Sequence, residues 1–239
     1  MKKRFGLLCV ALSLVAMPGC IDVKTSDLEK LFKQETESAD KGNEPVEAVA
    51  DTIVMISEEE SDHLFFKGVP IDGSLEEYVA RMKYAGFEYI GTQEDGTAIL
   101  QGDFAGFKAC LIGVAAIQPL DIVNKIIVLF PERDGWASLE GDYNSLKALL
   151  TEKYGQPSEC VEEFLGLYSG EFGSNTEGDK LMALSMDACI WRAVYRVPKG
   201  RIELSVENHG GMIGESRVVL RYYDKINSEA VKQQALDDL

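Results

Sequence analysis

The sequence is poor in the side chains on which nucleophilic and metal-dependent catalysis rely. Its 239 residues include two histidines, His63 and His209, and neither has a second zinc ligand at helical or loop spacing. The G-x-S-x-G elbow of serine hydrolases, the G-x-G-x-x-G turn of dinucleotide-binding folds and the P-loop signature are all missing. The sequence therefore predicts no catalytic motif, no cofactor and no metal site, although a pair of carboxylates placed by the fold would leave no such signature.

Long apolar runs are also scarce. Three basic residues precede a mainly apolar run of thirteen residues from Phe5 to Met17, whereas a membrane-spanning helix needs roughly 20 such residues. A short apolar run after a positive start is typical of a signal peptide. We therefore expect residues 1–19 to be a leader that is removed on export.

The end of this leader, Met17-Pro18-Gly19-Cys20, resembles the lipobox of bacterial lipoproteins. In that family a small residue precedes the cysteine that becomes the acylated first residue of the mature chain. The resemblance implies that Cys20 is the lipidation site and carries palmitate-type chains, of which stable anchoring needs at least two. Ile21 does not match the Asp of the inner-membrane retention signal. The resemblance therefore implies a lipid-anchored protein of the cell envelope, in the outer membrane, on its periplasmic or surface face.

The composition is strongly acidic. The net charge is −16 and becomes −19 once the three basic residues of the leader are removed. Such a balance argues against nucleic acids and anionic membrane surfaces as partners. The charge is also uneven, because residues 21–62 carry −9 whereas residues 180–225 carry +3. The C-terminal part is thus a positive region in a negative protein.

Residues 20–62 are interpreted as an acidic tether, because a single aromatic residue, Phe32, can bury little apolar area. Within the tether, Ser26 and Glu29 have the spacing of a helix capping box. A second helical pattern is an apolar stripe that recurs at steps of three and four residues: Val46, Val49, Ile53 and Ile56. This stripe can dock on the folded domain or on a partner, and we favour the domain.

From His63 onward, helix and strand patterns alternate twice. The first predicted helix begins after Ser74 and ends at Gly86, and the second runs from about Trp136 to Tyr154. A short strand is predicted at 63–70, and longer strands follow the two helices at 87–92, 97–104, 107–117, 123–130, 160–168, 188–197, 201–207 and 217–223. A polar loop is predicted between the strands at 160–168 and 188–197. A closing helix is predicted from Asn227 to Leu236.

This order predicts one α+β domain at residues 63–239. We expect a tandem α-β-β-β(β) repeat with halves of about 63–131 and 132–239, forming one antiparallel sheet with helices packed on one face and a short C-terminal helix. The element order resembles that of tandem-repeat β-lactamase-inhibitor proteins and, more loosely, small envelope assembly lipoproteins. The stretches FKGVPIDGSLEEYVARMKYAGF and DKINSEAVKQQALDDL resemble a group of uncharacterised bacterial envelope lipoproteins.

The positive C-terminal region supplies the candidate binding residues. Strand alternation predicts that its apolar residues point inward and that the following residues share the other face: Arg192, Arg196, Arg201, Arg217, Arg221 and Tyr223. Arginine and tyrosine are enriched at binding surfaces, so we predict that this face binds an envelope protein or an anionic glycan or peptide. The alternative is a solvated face with Arg–Glu cross-strand pairs.

Cysteine usage points to buried thiols. Cys110, Cys160 and Cys189 remain beside Cys20 in the mature chain, and Cys110 and Cys189 lie within apolar strand patterns. A single disulfide in an oxidising envelope is the alternative.

The sequence therefore predicts a non-catalytic binding or scaffolding protein. Two other functions stay open: an inhibitor of another enzyme, and a carboxylate-based hydrolase with a concave pocket that holds two acids.

Overall fold

The computed structural model describes residues 61–118, 120–170, 173, 176–209 and 216–237. The predicted leader, the lipidation site Cys20, the apolar stripe at 46–56 and nearly all of the acidic tether lie outside these residues.

The described chain begins with a short hairpin and a helix. β1 (Phe65–Phe66) pairs with β2 (Val69–Pro70), so the predicted strand at 63–70 is two strands with a turn between them. α1 (Leu75–Tyr84) begins after Ser74, whose hydroxyl accepts a hydrogen bond from the backbone N–H of Glu77. The Glu77 carboxylate in turn accepts from the Ser74 N–H. The predicted capping box is confirmed.

Four strands follow α1, and each is antiparallel to the next. They are β3 (Glu88–Thr92), β4 (Ala98–Phe104), β5 (Phe107–Ile117) and β6 (Ile122–Leu129). Gly102 of β4 is packed under an aromatic ring, because an added Cβ would lie 2.5 Å from Cδ1 of Phe87. Close approach of a ring to the sheet therefore requires glycine at this position.

In the second half of the described chain, a long helix precedes the remaining strands. α2 (Trp136–Tyr154) has the predicted bounds, and Gly155, at φ 83°, follows it. The remaining strands are β7 (Glu159–Phe164), β8 (Cys189–Val197), β9 (Gly200–Asn208) and β10 (Ser216–Asp224), and the chain closes with α4 (Lys225–Asp237). β7 is shorter than the predicted strand at 160–168, because a 3₁₀ turn occupies Gly166–Tyr168.

A further helix lies where only a polar loop is predicted. α3 (Glu177–Ser185) begins after Thr176, whose hydroxyl accepts a hydrogen bond from the Asp179 N–H while the Asp179 carboxylate accepts from the Thr176 N–H. Its Leu181 and Leu184 are buried. The loop prediction is wrong for this stretch, because a capping box and two buried leucines stabilise a helix despite the polar residues before them.

The eight longer strands form one antiparallel sheet in the order β3-β4-β5-β6-β10-β9-β8-β7. The two halves meet where β10 pairs with β6, with Val219 opposite Leu129 and Leu220 opposite Val128. This pairing places the last strand at the centre of the sheet and leaves β3 and β7 at its edges. Among the described residues the fold is therefore a mixed α and β structure with four helices and an eight-stranded antiparallel sheet.

The main apolar cluster lies on one face of the sheet, here called the core face. It joins strand residues such as Ile112 and Val128 to Tyr78 of α1, Trp136 of α2 and Leu184 of α3. The inward residues predicted for the last three strands also belong to it: Ala193, Tyr195, Ile202, Leu204, Val206, Val218, Leu220 and Tyr222. Each large apolar side chain buried in this way contributes about 1.5–3 kcal/mol, before the loss of conformational entropy.

The three described cysteines are all free. Cys110 is buried, as predicted, and Cys189 is half-buried. Burial raises the pKa of Cys110 to about 11 and that of Cys189 to about 12. Both thiols are therefore protonated at neutral pH and behave as small apolar groups. Cys160 is exposed.

Candidate binding face

The strand register brings all six predicted binding residues to the face opposite the core face, here called the outer face. On it, Arg196 of β8 lies opposite Arg201 of β9, and Arg201 lies opposite Tyr223 of β10. The six residues are called the arginine region: Arg192, Arg196, Arg201, Arg217, Arg221 and Tyr223.

The outer face changes character across its width. Toward β4, β5 and β6 it carries a second apolar cluster, here called the outer apolar patch: Ile99, Leu111, Ile127, Leu129 and Val219. Toward β9 and β8 it carries the arginine region. One cross-strand row passes from one to the other, through Leu111, Leu129, Val219, Ser205 and Arg192. The face is therefore divided near β10 into an apolar half and a charged half.

Arg221 is held in an ion pair that is largely shielded from solvent. Its guanidinium donates to the two carboxylate oxygens of Glu207 at 2.5 and 2.8 Å and to the Ser205 hydroxyl at 3.2 Å. The side chain of Arg221 is only 14% exposed.

The electrostatics of this pair keep both groups charged. Burial opposes the charge of Glu207, but the hydrogen bonds and positive charge of Arg221 outweigh it and lower the pKa of Glu207. Burial also opposes the charge of Arg221, and the hydrogen bonds and charge of Glu207 outweigh it and raise the pKa of Arg221. Arg221 therefore joins β9 to β10 and is engaged within the protein.

Arg217 and His209 extend this network toward the end of β9 and the start of β10. The guanidinium of Arg217 pairs with the carboxylate of Glu132, and the Arg217 side chain is 7% exposed. Nε2 of His209 lies 3.8 Å from Oε2 of Glu207, and the His209 side chain is 5% exposed. Burial lowers the pKa of His209 to about 4, although the charge of Glu207 acts in the opposite direction. His209 is therefore neutral at physiological pH.

Tyr223 lies between two cationic side chains. Cζ of Arg201 is 4.2 Å from the centroid of the Tyr223 ring, and Nζ of Lys125 is 5.8 Å from it. The register explains this arrangement, because Tyr223 is opposite Arg201 on β9 and opposite Lys125 on β6. Lys125 is a member of the outer face that the sequence reasoning missed. A lone lysine inside the apolar run of β6 is the signal that points to it.

The exposed part of the arginine region consists of Arg192, Arg196 and Arg201, whose side chains are 42%, 62% and 42% exposed. Nη2 of Arg196 lies 2.6 Å from one oxygen of Glu159, and Nη2 of Arg192 lies 3.9 Å from the other. The hydrogen bond and charge of Arg196 lower the pKa of Glu159. Arg201 is 3.9 Å from Glu203. Three guanidinium groups therefore share two carboxylates.

A cavity of about 360 Å³ lies beside the β8–β9 turn, whose residues connect Arg196 to Arg201. It is lined by apolar side chains and two lysines: Leu64, Phe65, Tyr154, Val197, Pro198, Lys153 and Lys199. The lysine Nζ atoms lie over neighbouring rings, 5.2 Å from the Tyr154 centroid and 5.7 Å from the Phe65 centroid. This lining does not provide the pair of carboxylates that a glycosidase uses.

His63 attaches the start of the domain to the end of β10. Its Nδ1 lies 3.1 Å from Oδ2 of Asp224, and its Nε2 lies 3.5 Å from Oδ2 of Asp72. Asp224 is fully buried and also accepts hydrogen bonds from the backbone N–H groups of Leu64 and Asn227 at 2.7 and 3.0 Å. The chain therefore joins the folded domain beside the last residues of the central strand.

Two kinds of feature are missing from the part of the chain that the structure describes. In it, no group of three or more histidine, cysteine, aspartate or glutamate side chains is placed to hold a metal ion. None of the helices within the same residues combines the length and the apolar character needed to cross a membrane.

Comparison with known proteins gives no significant match to a family model, a curated protein or a solved structure.

Proposed function

We propose that this protein is a lipid-anchored protein of the cell envelope whose α+β domain binds an anionic partner through the arginine region. The observation that carries the proposal is the exposure of Arg192, Arg196 and Arg201 on two adjacent strands. The partner is an envelope protein with an acidic surface, or an anionic glycan or peptide. The role is binding or scaffolding, with no catalytic step.

The geometry of the exposed arginines favours recognition of carboxylate, sulfate or phosphate groups. A guanidinium offers a planar fork of donors that matches such oxyanions in a bidentate manner. The contacts of Arg192 with Glu159 and of Arg201 with Glu203 are both 3.9 Å long, too long for strong hydrogen bonds. An anionic ligand therefore has little internal pairing to displace at these two side chains.

The two buried arginines lie on β10, beside the exposed arginines on the same face of the sheet. Arg221 is paired with Glu207 of β9, and Arg217 with Glu132 in the segment after β6. The two pairs therefore hold β10 to its neighbours beside the exposed arginines. A binding site on paired strands is more precisely positioned than one on loops.

The anchoring part of the proposal is supported by the lipobox-like Met17-Pro18-Gly19-Cys20. Lipid on Cys20 would hold the domain at a membrane, whereas the acidic residues between 21 and 62 would be repelled by anionic headgroups. The domain would therefore stand away from the bilayer, with its arginine region accessible to other envelope components.

We also infer that the domain arose by internal duplication of a helix followed by four strands. The order of elements supports this inference, because the strands of the first half run inward from β3 to β6 and those of the second half run inward from β7 to β10. Residues of α1, α2 and α3 share the main apolar cluster, which supports an arrangement with these helices on one face of the sheet.

Capture of partners from detergent-solubilised envelopes tests the binding proposal. The double variant Arg192→Glu/Arg196→Glu reverses two exposed charges of the arginine region. Lys83→Glu/Lys108→Glu makes the same change in charge at exposed positions elsewhere on the domain. We expect the wild type and the lysine variant to retain the same partner and the arginine variant to lose it. Retention of every partner by the arginine variant would contradict the proposal.

The captured partner also separates the alternative functions. An enzyme that this protein inhibits in a 1:1 complex would assign it as an inhibitor, with the arginine region as the inhibitory surface. Cleavage of a captured glycan would instead point to a hydrolase, whose two acids would lie about 5–10 Å apart.

Anchoring is tested separately by the intact mass of the native protein and by Cys20→Ala. We expect a mature chain that starts at Cys20 with the added mass of its acyl chains, and release of the Cys20→Ala variant from membranes. An unmodified chain, or one that starts at another residue, would contradict lipid anchoring.

A further inference from the structure

The outer apolar patch is buried although the cluster that forms it contains only strand residues. Ile127 and Val219 are 0% exposed, Leu129 1%, Ile99 3% and Leu111 8%. Helices α1 to α4 contribute nothing to this cluster. One face of an antiparallel sheet can be open to water, but its residues are then partly exposed. Another segment must therefore cover the patch.

A glycine in the middle of the patch strengthens this argument. Gly113 lies on the outer face between Ile99 and Ile127 in the same cross-strand row. It has no side chain to protect its backbone, yet it is buried. Side chains of neighbouring strands stand roughly perpendicular to a sheet, so coverage of Gly113 requires chain that lies across the face.

The position of residues 61–63 indicates which segment of the chain can reach the outer apolar patch. His63 is fixed to Asp224, and Val219 is five residues back along β10, or about 17 Å at 3.4 Å per residue. Residues 57–62 span up to about 20 Å when extended. The segment that immediately precedes residue 57 can therefore lie directly on the outer apolar patch.

That segment has the pattern that the patch requires. Val46, Val49, Ile53 and Ile56 form one stripe of a helix, and eleven helical residues extend about 16 Å. Pro45 lies directly before this stripe, where proline is compatible with the start of a helix.

Charge complementarity favours the same occupant. Glu47 and Asp51 lie away from the stripe, and four acidic residues follow it at 58–60 and 62. The path from Asp224 to the patch runs beside the outer-face cation Lys125, which lies opposite Tyr223 of β10. Opposite charges on the two surfaces fix the register of such contacts.

We propose that residues 46–56 form a helix that docks its apolar stripe on the outer apolar patch, with the acidic residues 58–62 leading from it to the start of the domain. The segment so docked is part of the folded unit, and only residues 21–45 serve as the spacer to the membrane. The exposed arginines on β8 and β9 lie to one side of the docked helix and are open to a partner. This proposal is independent of the function assigned to those arginines.

Side-chain oxidation by hydroxyl radicals, read by mass spectrometry, tests the proposal in the purified chain. Ile53→Asp places a charge in the apolar stripe, whereas Met55→Asp places the same charge about 200° further round the helix. We expect oxidation of Leu111, Ile127 and Leu129 to rise several-fold in Ile53→Asp and to stay at the wild-type level in Met55→Asp. The buried core-face residues Ile112 and Val128 should remain protected in both variants.

Three results would overturn the proposal. The first is wild-type protection of the patch in Ile53→Asp. The second is equal oxidation of the patch in the two variants. The third is protection that falls on dilution as a dimer dissociates, because the occupant would then be a second copy of the chain. If Ile53→Asp also exposes Ile112 and Val128, Ile53→Ala replaces it, and a rise confined to the patch supports the proposal while no rise there contradicts it.

Discussion

The two halves of the outer face are stabilised in different ways. The apolar half is centred on the outer apolar patch of β4, β5, β6 and β10, whose side chains are at most 8% exposed. In the charged half, arginine exposure increases with distance from the centre of the sheet, from 7% and 14% for Arg217 and Arg221 on β10 to 62% for Arg196 on β8. An arginine beside the apolar patch must therefore be paired, whereas one near the sheet edge can remain open to a ligand.

Removal of Arg221 should have the largest effect. Arg221→Met leaves the half-buried carboxylate of Glu207 without its bidentate partner, so we expect the free energy of unfolding to fall by about 4 kcal/mol. Urea unfolding followed by circular dichroism measures the change. Arg196→Met, at an exposed pair, should cost less than about 1 kcal/mol. Equal losses of unfolding free energy in the two variants would contradict the distinction between a shielded ion pair at Arg221 and an exposed one at Arg196.

Removal of both charges of the Arg221–Glu207 pair tests whether the unpaired carboxylate causes the loss of stability. Arg221→Met combined with Glu207→Leu removes both charges, and we expect the double variant to be more stable than Arg221→Met alone. A double variant at least as unstable as the single one would place the loss in packing instead of in the unpaired carboxylate.

Truncation of a buried side chain in the apolar half should have the next largest effect on the free energy of unfolding. Leu129 is 1% exposed, so Leu129→Ala should lower the free energy of unfolding by about 3 kcal/mol, as expected for a buried leucine. Leu149 of α2 is 50% exposed, and Leu149→Ala serves as the matched control with an expected change below about 1 kcal/mol. A similar small change at both sites would mean that the outer apolar patch is open to water.

Lowering the pH should destabilise the protein through His209, which lies next to the charged half of the outer face. Its pKa of about 4 in the folded protein lies below the ordinary 6.5, so the unfolded chain binds more protons between these values. Stability is therefore lost as the pH falls through this window, by about 2 kcal/mol between pH 6.5 and pH 5. The contribution of Glu207, whose pKa is lowered from 4.5, is lost only at lower pH. Thermal unfolding of His209→Gln should show a flatter dependence over this range, and an unchanged dependence would contradict the assignment.

The smallest effect on stability is expected for Arg192→Glu/Arg196→Glu. Both side chains are exposed, and surface ion pairs contribute little, so the free energy of unfolding should change by about 1 kcal/mol or less. The change should shrink further at high ionic strength. A loss as large as that for Arg221→Met would mean that these arginines are structural and would remove the distinction within the arginine region.

Local patterns in the sequence account for much of the fold. α2 is predicted to the residue because Leu139, Tyr143, Leu146 and Leu150 recur at helical spacing and Gly155 ends the pattern. The six residues of the arginine region share a face because alternation has a period of two in every strand. α3 is missed because its capping box at Thr176 and Asp179 lies in a polar stretch, although that motif is visible in the sequence.

The difference between buried and exposed arginines could not be predicted in this way. It depends on the pairing of β10 with β6, which joins Val219 to Leu129, ninety residues apart in the sequence. No local pattern specifies such a contact. The same pairing places the outer apolar patch beside Arg221 and creates the boundary between the two halves of the face.

The most direct test of the binding account compares arginine modification in isolated envelopes and in the purified protein. Phenylglyoxal modifies accessible guanidinium groups, and mass spectrometry reports each site. Arg133 is 37% exposed and pairs with Asp142 of α2, so it serves as the internal reference. We expect Arg192 and Arg196 to be modified less in envelopes than after purification, while Arg133 reacts equally in both. Equal modification of Arg192 and Arg196 in the two states would contradict the binding proposal.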